Sequence, residues 1–177
     1  GGMITTSDEA LANKLKLIRN HGLANRDTCL EFSYNSRLDS IQAVVAKHIL
    51  ENHLENITNT RIANALLLDS CLSSFPCVQI NARNSSIKEV FHLYMLRVEN
   101  RDELINYLRA NGVDAKIHYP KPMHLQPAAR KYGYSEGDFP VAESLANSCM
   151  SLPVHEFITP ADIEKMSDLI KKFYRYS

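Results

Sequence analysis

The sequence predicts an α/β protein with a helical N-terminal part, one long connecting helix, and a small lobe built on an antiparallel or mixed sheet of about three strands. Three observations predict it. Residues 39–74 contain neither proline nor glycine. Beyond Pro76, "VQINA", "EVFHLYMLRV" and "VDAKIHY" are short runs of strand character. Helix-start signals separate and follow those runs, which is the pattern of helices packed on a small sheet.

Taken in order, Ile4, Thr5 and Thr6 make residues 2–6 a short strand. Thr6 followed by Glu9 fits a capping box, and Leu11, Leu15 and Ile18 recur at helical spacing up to "RNHG", where Gly22 can adopt the left-handed conformation that ends a helix. After a polar loop, Asp39 or Ser36 caps the long segment. If helical throughout, it spans roughly 35 residues and about 50 Å, more than an ordinary globular helix, and so bridges two lobes. In "EVFHLYMLRV", Phe91, Leu93 and Met95 alternate against Val90, His92, Tyr94 and Leu96. Asn100 with Glu103 caps a helix that ends at "ANG", and "VDAKIHY" returns as a strand. Short helices follow around Gln126–Tyr132 and Val141–Cys149. Thr159 and Pro160 open the last helix as N-cap and first helical residue, with Ile163, Met166, Ile170 and Phe173 as its buried stripe. The expected organisation is therefore residues 1–38, 39–74 and 75–177.

The bulk numbers exclude several classes. In 177 residues, 45% hydrophobic and 23% charged, the chain can bury a real core. Twenty basic residues balance twenty acidic ones, which argues against a nucleic-acid binder. No apolar run is long enough to span a bilayer and the start has no signal-peptide pattern, so no membrane partner is expected. Cys29, Cys71, Cys77 and Cys149 show no CxxC spacing and read as reduced, structural thiols of a cytoplasmic protein.

Isolated chemistry is scarce. His118 and His124 are six apart, and His48 and His53 five apart on a helix, where ligands need three or four to share a face, so no metal site is expected. There is no GxSxG motif and no glycine-rich phosphate cradle. Lys116 and Lys121 flank a proline-rich loop, but a bare loop lysine is usually a solvated charge. That loop, "KIHYPKPMHLQPA", is the concentrated feature: its prolines fix an extended, stiff path that holds His118, Tyr119 and His124 in place. Gly1 and Gly2 read either as an artificial leader before Met3 or as native residues.

Seven blocks, "GGMITT", "RNHG", "YNSRLDSIQA", "HLYMLRV", "KIHYPKPMHLQPA", "GDFPVAESLA" and "SLPVHEFITPADIEKM", occur in this order over nearly the whole chain. Together they resemble the C-terminal half of the DegT/DnrJ/EryC1/StrS family of pyridoxal-phosphate sugar aminotransferases. The resemblance implies a fold type I aminotransferase: the end of the large, cofactor-binding domain (1–38), a long linking helix (39–74) and the C-terminal small domain (75–177). It implies amino transfer, usually from glutamate, to a keto sugar linked to a nucleotide, in a homodimer with shared active sites whose products feed polysaccharides or glycosylated metabolites. It also implies that Gly1 and Gly2 are native and let backbone pass close to the cofactor.

By the same resemblance, Asn35 would bind the phosphate of the partner's pyridoxal phosphate, and Arg37 would reach that phosphate or the substrate's diphosphate. His118 and Tyr119 would line the nucleotide-sugar pocket, and His21 would approach the substrate or the cofactor edge, although a helix-end histidine facing the helix dipole explains it equally well. For His124 the expected role is only a bond to a backbone carbonyl, and Tyr119, if not at the pocket, would pack on the small-domain core. The family usually has glycine where this chain has Ser33, and alanine where it has Val44, small changes expected to tighten local packing. The lysine that anchors the cofactor covalently lies, in the family, a few residues before the Gly-Gly pair, and no such position exists in this sequence. No catalytic residue is therefore assigned, and the chain alone is expected to be inactive. The alternative is a non-catalytic module of the same descent that dimerises or binds nucleotide sugar.

Overall fold

The structure, a computed structural model, describes residues 1–176. The chain forms two compact units, 1–54 and 55–177.

In the first unit, residues 1–6 form no strand, because none of the described residues pairs with them and a strand exists only as part of a ladder. Helix α1 runs Glu9–Ile18, and its N-cap is Asp8, not Thr6: the Asp8 carboxylate accepts from the Leu11 N–H, while Thr6 Oγ1 accepts from the Asp8 N–H. Helix α2 runs Ser40–Asn52 behind Asp39, whose carboxylate accepts from the Ile41 N–H at 2.9 Å. The uninterrupted helix expected over 39–74 is two helices, α2 and α3 (Leu54–Leu72), broken at His53 (φ −129°). Polar side chains cluster at the break. The Asn52 side chain donates to His48 O, the carbonyl that its own backbone N–H would take in a regular helix, and the His53 ring turns back to His48 with the Nε2 atoms 3.2 Å apart.

The second unit is built on an antiparallel sheet of three strands in the order β1-β2-β3: β1 Val78–Ile80, β2 Tyr94–Val98 and β3 Cys149–Leu152. Register places Val78 opposite Val98, and Leu96 between Ile80 and Met150. Val78, Tyr94, Leu96, Val98, Met150 and Leu152 face the core, as alternation requires. Ala65, Leu68 and Leu72 of α3, Leu104, Ile105 and Leu108 of α4 (Arg101–Ala110), and Ile163, Met166 and Ile170 of α6 (Pro160–Tyr176) complete it. On the opposite face Arg97 reaches Ser144 and Ser148 of α5 (Pro140–Ser148).

Three strand assignments change. The run 89–98 is a strand only from Tyr94, because Phe91 sits at φ +49° and folds its buried ring under the Arg83 guanidinium, 4.8 Å from the ring centre. Arg83 is held there by both carboxylate oxygens of Asp69 and by Glu89. "VDAKIHY" contributes a single bridge, Lys116 to Ser151, and the third strand is instead Cys149–Leu152. Asn100 occupies the N-cap of α4 in a left-handed conformation without a side-chain cap bond. The C-terminus of α4 keeps its expected stop: Gly112 (φ +81°) allows Val113 N–H to bond Leu108 O and Gly112 N–H to bond Arg109 O.

Helix α6 starts as its sequence specifies. Thr159 Oγ1 accepts from the Asp162 N–H, and the Asp162 carboxylate accepts from the Thr159 hydroxyl at 2.6 Å and the Thr159 N–H at 3.0 Å. These bonds hold the Asp162 carboxyl below the usual carboxylate range. The cap therefore adds stability above the unfolded carboxylate pKa of about 4 and loses it as pH falls through the lower folded value. Replacing Asp162 by Asn should flatten that part of the stability-against-pH curve, read from thermal melts between about pH 2 and pH 6. Ile170 is fully buried. Ile170→Ala should lower the unfolding free energy of the second unit by about 2–5 kcal/mol in denaturant titrations.

Candidate functional site

The predicted site residues divide between the two units. In the first, the turn after α1 and the extended segment 33–38 lie side by side: the His21 N–H donates to Tyr34 O at 3.1 Å, the Ser36 N–H to Arg19 O at 2.8 Å, and Asn20 bridges Asn35. The Ser33 hydroxyl, where glycine is usual, donates to Ile18 O and adds a tie between the same segments. Val44 is 68% exposed and tightens nothing. His21 takes φ +60° and Gly22 φ +71°. At Gly22 a Cβ would lie 1.5 Å from Glu31 O, so only glycine lets the 29–31 segment close over the turn.

This pairing sorts the side chains. A cleft of about 730 Å³ is walled by residues 2–6, α1 and the 33–38 segment; Gly2, Tyr34, Ser36 and Leu38 line it, whereas Asn35 and Arg37 do not. The alternation of an extended chain accounts for this separation. Asn35 Oδ1 accepts from the Arg37 N–H and from Arg37 Nε at 3.1 Å. The Asn35 amide nitrogen and the Arg37 terminal nitrogens then donate to no protein group among the described residues. Several N–H donors on one exposed patch suit a phosphate, so the residues present fit the phosphate end of pyridoxal phosphate. A Cβ added at Gly1 would lie 2.8 Å from Leu38 Cδ1, and His21 is exposed.

In the second unit a cleft of about 460 Å³ gathers Arg61, His92, Lys116, His118, His155 and Lys165, with Asp114 and Asp162 on its wall. Arg61 forms an ion pair with Glu156 at 3.3 Å and Lys116 with Asp114 at 2.8 Å, leaving the histidines and Lys165 as its least committed polar groups. His118 lines this cleft. Tyr119 is not among its lining residues; 74% exposed, it does not pack on the core either. Sequence reading missed Arg61, His92, His155 and Lys165 because they come from α3, the 91–93 turn, the 153–158 loop and α6, and no local motif links them.

His124 departs furthest from its expected role. Its Nε2 meets Glu143 Oε1 at 2.9 Å, a carboxylate and not a backbone carbonyl, with the imidazole only 7% exposed. Glu143 also accepts from the Gly137 and Phe139 N–H groups. Partial burial pushes its carboxyl up, but the bonds from Gly137, His124 and Phe139 outweigh this and hold it below the usual carboxylate range. Among the described residues no group of three or more His, Cys, Asp or Glu could hold a metal, the four cysteines are free, and no helix is long and apolar enough to cross a membrane.

The fold is that of fold type I aminotransferases, as solved structures of sugar aminotransferases show. The chain belongs to the DegT/DnrJ/EryC1/StrS aminotransferase family, whose profile matches residues 1–171. It is 38% identical over 154 residues to the erythromycin biosynthesis sensory transduction protein EryC1 of Saccharopolyspora erythraea, covering 87% of this chain and 42% of that protein. It is 34% identical over 173 residues to the dTDP-3-amino-3,4,6-trideoxy-alpha-D-glucose transaminase of Streptomyces venezuelae, covering 98% of this chain and 45% of that one. The crystal structure of S. venezuelae DesV in complex with a ketimine intermediate superposes with a TM-score of 0.89 at 34% identity, over 95% of this chain and 45% of that chain. The chain thus spans about half the length of the curated relatives it matches, consistent with their C-terminal half. Enzymes of this family depend on pyridoxal phosphate.

Gly22→Ala should unseat the pairing that presents Asn35. The expected result is faster amide exchange at His21 and Ser36, read by NMR, with the core amides of the second unit unchanged.

Proposed function

We propose that this chain is the C-terminal portion of a pyridoxal-phosphate aminotransferase that moves an amino group, from glutamate, onto a keto sugar carried by a nucleotide. The observation that carries this reading is the Asn35–Arg37 pair, a preformed set of unclaimed N–H donors within a chain of this family. When bound, the cofactor supplies the electron sink for amino-group exchange. The chain's own part is to bind and orient. Asn35 and Arg37 hold phosphate oxygens, Arg37 or His21 reaches toward the substrate, and His118 and Tyr119 face the nucleotide sugar. Gly1 and Gly2 keep backbone close to the cofactor.

Asn35 and Arg37 do not line the cleft of their own chain, which accords with donation to a second copy in a homodimer. The substrate class follows the printed activities of relatives, a dTDP-sugar transaminase and the UDP-2-acetamido-2-deoxy-3-oxo-D-glucuronate aminotransferase of Pseudomonas aeruginosa, 33% identical over 167 residues. Free cysteines accord with a cytoplasmic setting.

The gene product that carries these residues should aminate a 3- or 4-keto dTDP- or UDP-sugar in the presence of glutamate, followed by mass spectrometry. Arg37→Ala should lower kcat/KM by about 10-fold or more, and Asn35→Ala should raise the pyridoxal phosphate needed for half-activity. The 177 residues alone, treated with pyridoxal phosphate and borohydride, should yield no lysine adduct. An adduct on Lys16, Lys116 or Lys165, which line the two clefts, would show that the chain anchors the cofactor itself. Nucleotide-sugar binding without any turnover would make it the non-catalytic binding module instead.

A further inference from the structure

We propose that His124 and Glu143 form a clasp that positions the His118–Tyr119 segment for the sugar nucleotide, an inference that rests on the functional reading above. Between the Lys116–Ser151 bridge and α5 the chain runs more than twenty residues without a ladder partner, through two short 3₁₀ turns, Met123–Leu125 and Pro127–Tyr132. A stretch that long without regular structure needs its own anchor or a functional reason to exist. Its other hydrogen bonds are local: Leu125 N–H to Pro122 O, Gln126 N–H to Met123 O, the Gln126 side chain to Lys121 O, and Ser135 to Asp138. Among the described residues, His124 to Glu143 is the one hydrogen bond that ties residues 118–136 to a regular element.

That bond is built for the purpose. The imidazole is 7% exposed and the carboxylate 16%, and the Phe139 ring lies 4.8 Å from the imidazole. Glu143 is itself fixed by the Gly137 and Phe139 N–H groups at the start of α5. A carboxylate only accepts, so His124 Nε2 carries the proton of this bond. Without His124, Glu143 keeps only the Gly137 and Phe139 N–H groups, and nothing among the described residues then holds the 118–136 segment to it.

Stiffness carries the effect upstream. Pro120 and Pro122 stand between Tyr119 and His124, each fixing its own φ and restricting the residue before it. The His118–Tyr119 pair is therefore suspended between two anchors, the backbone bridge at Lys116 and the clasp at His124. Tyr119 makes no hydrogen bond of its own among the described residues and is 74% exposed, so its place is set by these anchors and not by packing. His124 is a positioning residue, acting on substrate through His118 and Tyr119.

The test compares wild type with His124→Ala and His124→Gln, whose amide N–H can take the place of Nε2–H. In the gene product that carries these residues, His124→Ala should raise KM for the keto nucleotide sugar about 10-fold while kcat changes no more than about 3-fold, and His124→Gln should recover KM to within about 3-fold of wild type. In the 177-residue chain, His124→Ala should speed amide exchange at Leu125 and Gln126 and trypsin cleavage after Arg130 and Lys131, with the core amides of α6 unchanged. An unchanged KM in a working enzyme, or unchanged exchange and cleavage, overturns the clasp. A wild type without turnover on any such sugar sinks the functional reading, and the clasp then stands or falls on exchange, cleavage and the line widths of the His118 ring protons.

Discussion

The second unit depends on β2 being paired along both edges and buried on one face. Tyr94, Leu96 and Val98 point into the core while their backbones bond β1 on one side and β3 on the other. A central strand of this kind leaves no unpaired edge of its own and fixes register, because a one-residue slip would turn Arg97 inward and Leu96 outward. Helices α3, α4 and α6 then have one apolar surface to cover. The Tyr94 hydroxyl extends the constraint by donating to Asp69 at 2.8 Å; burial, and then this bond, push its pKa up. Asp69 in turn holds Arg83, and Arg83 covers Phe91, so the loop before β2 is positioned from the strand outward.

The first unit is organised differently. Neither α1 nor α2 has a buried residue, and Ile41, Val44, Phe32 and Tyr34 are largely exposed. Its order comes from backbone bonds between the 19–22 turn and the 33–36 segment and from the glycine that lets Glu31 approach. Such bonds are open to water and protect less than a core does, and binding residues are commonly drawn from regions of this kind. Asn35 and Arg37 are placed by alternation along that segment.

The proposed function divides between anion-binding donors on a lightly buried turn and a stiff loop held at both ends. The two demand different physics. Donors need free N–H groups in a fixed direction, which the Asn35–Arg37 contact supplies by using up the one acceptor of the pair. The loop needs rigidity without a ladder, which prolines and one buried imidazole–carboxylate bond supply.

Local chemistry was legible in the sequence. The Thr159 cap with Pro160, the α6 stripe, a start for α2 at Asp39 or Ser36, Gly112 as the stop of α4, and the seven blocks that mark the family could all be read without coordinates, because each depends on residues within a few positions of one another. What the sequence left open depends on partners far along the chain. Residues 2–6 look like a strand but pair with none of the described residues; the run through Phe91 alternates well but bends where Arg83 captures it; the 39–74 helix breaks at His53, where the Asn52 and His53 side chains both turn to His48. His124 finding Glu143, nineteen residues away, and His118 sharing a cleft with Arg61 and Lys165 belong to the same class. By itself, the sequence determined the family, the start of α6, the stop of α4 and the residue types available for binding. Only the tertiary structure decided which of them meet, because strand pairing, burial and a buried charge's choice of partner are properties of the folded chain and not of any window along it.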